Sequence, residues 1–399
     1  DGDVAVRYAD RRPIYRLARS TVPADRDVDA VVRAILVGMA RTVTVTAGSG
    51  PYPVAIAPTV VGLADHVPAR AVVVTETTVG PLWAAAVSAE LGDRVIATLV
   101  APAGEARKDL ASWSQLVDGL LAAEVDRDTA VVALGGGVLG DVAGFAAATA
   151  LRGLPVVQVP TTLLAMVDSS VGGKVAVNHR SGKNRIGVFH PPIAVWAALE
   201  TLDTLPAAEI RAGWGEIVKT AIAADAELFE ALDAGLAVRA RDDRGALAEV
   251  IARVVRAKAA IVSADERDTG LRLVLNAGHT VAHGLEGALG PGTLRHGEAV
   301  AIGLVAEAAY AVRAGVCRDP ELPGRVVRLF ARLGIATAMP SIDAELVGAA
   351  MGLDKKARAD KIRIPLPVQA GEMVLVDLPR TSVRDLLGPP ITGSAAEPG

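Results

Sequence analysis

The chain has 399 residues, 51% hydrophobic and 22% charged, which gives it apolar material for two packed domains and sets it apart from disordered chains. Forty-one basic residues against 45 acidic ones leave a net charge of −4, which argues against nucleic-acid or membrane-surface partners. The single cysteine, Cys317, excludes an intrachain disulfide and fits a reducing cytoplasm, and no stretch offers the roughly 20 uncharged apolar residues of a membrane helix. The first residues are charged, unlike a signal peptide, and the missing initiator Met suggests a piece of a longer polypeptide.

Residues 1–41 read as largely helical, with Val28, Val31, Val32, Ile35 and Leu36 at helical spacing behind Asp27 as a cap. At Thr42 the period changes. Residues 42–46 alternate like a strand, Gly48-Ser49-Gly50 signals a turn, and residues 54–57 make a second strand, so a hairpin opens a new domain. Strands at 71–75, 95–100, 129–134 and 154–160 then alternate with helices at 83–91 and 110–123. That alternation predicts a parallel sheet flanked by helices, an α/β domain over 42–204, which the glycine turn at 135–137 makes a candidate dinucleotide-binding domain. Beyond Thr204 helical patterns dominate, including 246–264 and 298–314, and predict a mostly α-helical domain over 205–388. Residues 362–365 and 373–376 suit a small hairpin, and the Pro/Gly/Ser-rich residues 389–399 suit a frayed tail.

Four segments carry chemistry. Gly135, Gly136 and Gly137 at a strand end let backbone amides approach a pyrophosphate, although a Gly-rich turn is often only a tight connection. Glu76, ending an earlier strand, is either a ribose ligand or a solvated loop carboxylate. The polar run from Thr161-Thr162 through Asp168 and Lys174 to Asn178, Lys183 and Asn184 reads as a loop over a site, with cations for phosphate. His279, His283 and His296 cluster in the second half. The i, i+4 spacing of His279 and His283 alone would make those two the chelating pair, and Glu216 is a carboxylate candidate. The last segment is a basic set, Lys258, Arg267, Arg272, Lys355 and Lys356; Arg267 reads as a surface charge paired within Asp265-Glu266-Arg267-Asp268. If 272–279 is helical, Arg272, Asn276 and His279 share one face.

Taken together, these segments resemble the 3-dehydroquinate synthase family. The likeness runs through Gly104-Glu105 with Lys108, the glycine turn to Asp141, Arg152-Gly153, the run from Pro160 to Lys174, and Lys183-Asn184. It continues through Glu216 to Lys219, Asp265 to Asn276, Gly278 to His283, His296-Gly297-Glu298 and Asp354-Lys355-Lys356. The resemblance implies NAD along Gly135–Gly137, with Glu76, Glu105, Lys108, Asp141, Thr161, Thr162 and Lys183 around it; the family often has Asp near the position of Glu76. It implies a divalent metal, Zn or Co, on Glu216, His279 and His296, which overrules the His279–His283 pair and leaves His283 facing substrate. Lys174, Asn184, Asn276, Lys356 and Arg152 would hold the phosphate and hydroxyls of a phosphorylated sugar acid. Arg152 would come from a neighbouring subunit of a homodimer. Lys258 and Arg272 would meet the carboxylate side, and Asp168 and Lys219 would lie against the reacting centre, in the cleft between the domains.

The implied reaction oxidises a ring alcohol with NAD, eliminates phosphate, reduces the ketone again and closes a carbocycle by an intramolecular aldol step. Sibling sugar-phosphate cyclases, a metal-dependent polyol dehydrogenase and a non-catalytic binding module remain as alternatives. Residues 1–41, with Arg11-Arg12-Pro13-Ile14-Tyr15-Arg16, resemble the C-terminal end of a shikimate kinase, which would make the chain part of a fusion; an unrelated helical extension fits the same pattern. No phosphate-loop motif accompanies that tail.

Overall fold

Valine-rich runs bounded by glycine and helical segments build a seven-stranded sheet in the first half of the chain. The computed structural model describes residues 27–290, 292–352, 357–358 and 361–388. Helix α1 (Val28–Gly38) is capped by the Asp27 carboxylate, which accepts from the Ala30 amide. It leads into strands β1 (Arg41–Ala47) and β2 (Gly50–Ala57), the expected antiparallel hairpin. In β1 the alternation buries Val43 and Val45 and exposes the threonines.

The chain continues through β3 (Ala71–Glu76), α2 (Gly80–Leu91), β4 (Val95–Ala101), α3 (Leu110–Ala122), β5 (Ala130–Gly135), α4 (Gly137–Thr149) and β6 (Val156–Pro160). A hairpin of β7 (Lys174–His179) and β8 (Gly182–Phe189) follows, then β9 (Ala194–Ala198). The sheet order is β1-β2-β9-β6-β5-β3-β4, and every neighbouring pair except β1–β2 is parallel. Strands β5, β6 and β9 are buried along their whole length, as expected of parallel strands covered on both faces. The chain steps outward from β3 to the edge strand β4 and then crosses back past β3 to β5, so the winding direction reverses between β3 and β5. That reversal opens a crevice at the carboxyl ends of β3 and β5.

The second half is mostly helical: α5 (Ala207–Ala224), α6 (Ala226–Ala231), α7 (Ala237–Asp242), α8 (Arg244–Ala264), α9 (His279–Leu289), α10 (His296–Arg313), α11 (Leu322–Arg332) and α12 (Ala344–Gly352). A three-stranded sheet of β10 (Ala357–Arg358), β11 (Lys361–Gln369) and β12 (Glu372–Pro379) contains the expected late hairpin, longer than the sequence suggested. The β1–β2 hairpin packs on α8: Val43, Val45, Val54 and Ile56 share one core with Ile251, Val255 and Val262.

Two expectations are corrected. The polar run after β6 is a π-type turn, Ala165–Ser169, followed by the β7–β8 hairpin rather than an open loop. Arg272, Asn276 and His279 do not share a helical face. A 3₁₀ turn, Leu271–Asn276, ends before Gly278, whose φ of 77° breaks the chain direction ahead of α9. Residues 1–26 of the N-terminal segment 1–41, residues 389–399 and Lys355-Lys356 lie outside the described residues, and with them most of the segment compared with a kinase tail.

Candidate active site

The glycine turn sits where β5 runs into α4. Gly135 ends the strand, Gly136 is the N-cap and Gly137 the first helical residue. The backbone is closely surrounded: a Cβ on Gly135 would lie 2.5 Å from Leu139 and one on Gly137 would lie 2.7 Å from the Ser169 hydroxyl. No side chain caps α4, so its first amides point outward, as an anion site requires. Glu76 at the end of β3 and Thr161 after β6 stand at the same edge, and the buried Thr161 hydroxyl has no partner among the described residues. Desolvation holds the Glu76 carboxyl above its ordinary value. Thr162 packs its methyl on Gly136 and caps the following turn by accepting from the Ala165 amide. These features suit a dinucleotide pyrophosphate.

Beside the turn, Lys108 pairs with Asp141 of α4 and donates to the Asn184 side chain at 2.5 Å. Asn178 donates to Glu105 at 2.7 Å and accepts from the Asn184 amide at 2.8 Å. One network therefore joins residues expected around the cofactor with one expected on the substrate. Burial pushes the Asp141 carboxyl up to about 6, against the pull of Lys108.

Glu216, His279 and His296 offer three ligand atoms within 4.8 Å of one another, and His283 is not in that group. Glu216 is fully buried in α5, and among the described residues neither oxygen accepts a hydrogen bond of good geometry, although Lys219 Nζ stands 2.5 Å from Oε2. His279 Nε2 lies 3.8 Å and His296 Nε2 3.5 Å from Glu216 Oε1. The Nδ1 of each ring faces a different acceptor: Ala277 carbonyl oxygen at 3.1 Å for His279, Glu286 at 3.2 Å for His296. A neutral ring that donates Nδ1–H outward aims its Nε2 lone pair inward; His296 reaches that form by losing a proton, because, against desolvation, Glu216 and Glu286 push the ring up to about 10. Burial holds His279 well below its usual range and therefore neutral. A buried carboxylate with two imidazoles fits a zinc- or cobalt-type ion with open positions. The His283 ring stands 5.5 Å from His279, centroid to centroid.

A charged cluster adjoins this group. Lys258 donates to the Asp168 carboxylate at 2.6 Å, and Lys219 lies 3.5 Å from the same oxygen. Arg272 donates to the carbonyls of Gly172 and Glu266. Lys219, Lys258 and Arg272 are all buried. Desolvation would raise Asp168, but Lys219 and Lys258 hold it well below the carboxylate range. Burial brings Lys258 down to about 8 despite Asp168. Lys174, at the start of β7, pairs with Asp268 at 2.5 Å. Asn276 closes the 3₁₀ turn three residues before His279.

Arg152 stands apart. It is exposed, with a φ of 70°, beyond the far end of the 13-residue α4. At 1.5 Å per residue that is about 20 Å from its own glycine turn. Lys183 reaches Glu286 on α9 at 3.4 Å. Glu286 was not among the expected site residues, because a glutamate on an amphipathic helix reads as a solvated charge.

This scaffold, a glycine turn at a sheet crevice beside a buried carboxylate–imidazole group, defines a class of enzymes that pair a dinucleotide site with a metal site. The chain belongs to the 3-dehydroquinate synthase family: residues 98–212 match the 3-dehydroquinate synthase N-terminal family and residues 213–357 the C-terminal one. It is similar to 2-epi-5-epi-valiolone synthase from Streptomyces hygroscopicus subsp. jinggangensis, solved with NAD+ and Zn2+, at 33% identity and a TM-score of 0.76, over 84% of this chain and 95% of that one. It also shares the fold of 2-deoxy-scyllo-inosose synthase, solved with carbaglucose-6-phosphate, NAD+ and Co2+, at 24% identity and a TM-score of 0.75, over 87% and 99% of the two chains. Glycerol dehydrogenase from Schizosaccharomyces pombe is a more distant likeness, at 17% identity and a TM-score of 0.54, over 81% and 84%.

Proposed function

We propose that the chain is a 3-dehydroquinate synthase, a carbon–oxygen lyase that converts 3-deoxy-arabino-heptulosonate 7-phosphate into 3-dehydroquinate and orthophosphate. The observation that carries this reading is the concentration of buried cations beside the glutamate–histidine group. Three buried cations, Lys219, Lys258 and Arg272, stand together there: Asp168 and Glu216 face the two lysines, and Asp268, Asp168 and Asp265 act on Arg272. A substrate that brings both a carboxylate and a phosphate offers anionic partners to such a group of cations.

When bound, NAD supplies an acceptor and later donor of hydride, and a divalent metal, Zn or Co, held by Glu216, His279 and His296, supplies a Lewis acid for neighbouring oxygens. The chain's own groups do the rest. Gly135, Gly136 and Gly137, with Glu76, Glu105, Lys108, Asp141, Thr161, Thr162 and Lys183, hold the dinucleotide. Lys258 and Arg272 orient the carboxylate end, and Asn276 binds a hydroxyl. Lys174, Asn184, Lys356 and Arg152 take the phosphate end. His283 moves a proton at the reacting carbon–oxygen centre, and Asp168 and Lys219 keep its charge balanced. Because Arg152 lies about 20 Å from its own glycine turn, a second copy supplies it in a homodimer.

The likeness to the valiolone synthase favours one second reading, a sibling cyclase acting on a substrate without a carboxylate. Incubation with the heptulosonate phosphate and catalytic NAD, with the product identified by NMR, separates the two: 3-dehydroquinate supports the first, and no turnover supports the sibling.

A further inference from the structure

The imidazole of His296 is held between two carboxylates. Its Nε2 lies 3.5 Å from Glu216, and its Nδ1 lies 3.2 Å from Oε1 of Glu286. Glu286 stands seven residues after His279 and three after His283, so one face of α9 carries all three. Its side chain is 13% exposed, and its second oxygen lies 3.4 Å from Lys183 Nζ of β8. One carboxylate thus touches both the outer nitrogen of a ligand candidate and a cation of the hairpin beside the glycine turn.

We propose that Glu286 is a positioning residue. It accepts Nδ1–H of His296, fixes the tautomer with its Nε2 lone pair toward Glu216 and His279, and ties the β7–β8 hairpin to the helix that carries His279. The inference rests on reading Glu216, His279 and His296 as metal ligands. His279 needs no such carboxylate, since the Ala277 carbonyl plays that part at 3.1 Å. The outer support of the two rings is therefore unequal: His279 is held by its own main chain and His296 by a side chain that also answers to the hairpin.

The test is a titration of metal-free protein with Co2+ in the presence of a competing chelator, read as the dissociation constant and the ligand-field absorption. Glu286→Ala should weaken Co2+ binding by about 10- to 100-fold, the usual cost of removing such an outer partner. Glu286→Gln keeps an acceptor oxygen and the side-chain volume, so it should cost less than about tenfold, with a shifted absorption band. Lys183→Met should weaken binding far less than Glu286→Ala. Co2+ binding by Glu286→Ala at wild-type strength would overturn the proposal, as would a Lys183→Met loss as large as that of Glu286→Ala. If Glu286→Ala does not fold, a Glu286→Gln protein unchanged in both readouts overturns it. Wild-type protein that binds no Co2+ would instead overturn the metal reading itself.

Discussion

Gly215 and Gly297 meet main chain to main chain: a Cβ on Gly215 would stand 2.2 Å from the Gly297 carbonyl oxygen. A Cβ on Gly297 would stand 1.8 Å from the carbonyl of Ala212. The same contact recurs where Gly303 of α10 meets the Gly278 carbonyl, which a Cβ would approach to 2.0 Å. Each ligand candidate adjoins one of these glycines, Glu216 after Gly215, His296 before Gly297 and His279 after Gly278. Helices α5, α9 and α10 touch at their backbones, and that contact sets how closely the three ligand side chains converge.

Gly297→Ala should therefore act on stability and metal together. An extra methyl in a packed contact costs about 1–3 kcal/mol, and here the neighbour is a main-chain carbonyl that cannot rotate away. Chemical denaturation should show at least that loss, and metal analysis should show substoichiometric loading. Full stability with full loading would mean that the helices have room to spare.

Replacing Glu216, His279 or His296 by Ala should each remove the metal. His283→Ala should retain it while lowering kcat by about 10²- to 10⁴-fold, the usual worth of a proton-transfer group. Metal analysis alongside kinetics checks both halves. A metal-free His283→Ala protein beside a fully loaded His296→Ala protein would reverse the assignment.

The pH profile should carry the signature of Lys258. Its folded value of about 8 lies below that of a free lysine. The ammonium is therefore present below about pH 8 and lost above it, and kcat/KM should fall on the alkaline side. Lys258→Arg keeps a cation across the range, so whatever activity it retains should lack that alkaline break. An alkaline limb that persists unchanged in Lys258→Arg would assign it to another group.

Lys174→Ala and Arg272→Ala test the phosphate and carboxylate ends separately. Each removes a charge-assisted contact of roughly 1.5–3 kcal/mol, or about ten- to hundredfold in kcat/KM. Arg272→Ala should harm a carboxylated substrate more than an analogue without the carboxylate. Equal losses on both would favour the sibling cyclase.

The elements readable in the sequence were those whose side chains match their setting. Residues 42–46 alternate because one face of β1 packs on α8, and the runs before Gly135 and Thr161 are apolar because both faces are covered. Strand β9 escaped notice because its Ala-Val-Trp-Ala-Ala run, buried throughout, lacks alternation and is mostly alanine, a residue depleted in strands. Strand β8 was hidden for the opposite reason: Gly182, Lys183, Asn184 and Arg185 are exposed, and nothing in a solvated strand shows a period. Local spacing favoured His279 with His283, whereas the three-dimensional group joins His279 to Glu216 and His296, far apart in sequence. Glu286 was invisible because only the tertiary fold brings its carboxylate to His296.

The most direct test of the proposed reaction is its stoichiometry. With 3-deoxy-arabino-heptulosonate 7-phosphate and catalytic NAD, orthophosphate and 3-dehydroquinate should appear one to one, while NADH stays below the enzyme concentration because the hydride is returned before product leaves. NADH accumulating in proportion to turnover, or phosphate released without 3-dehydroquinate, would contradict it.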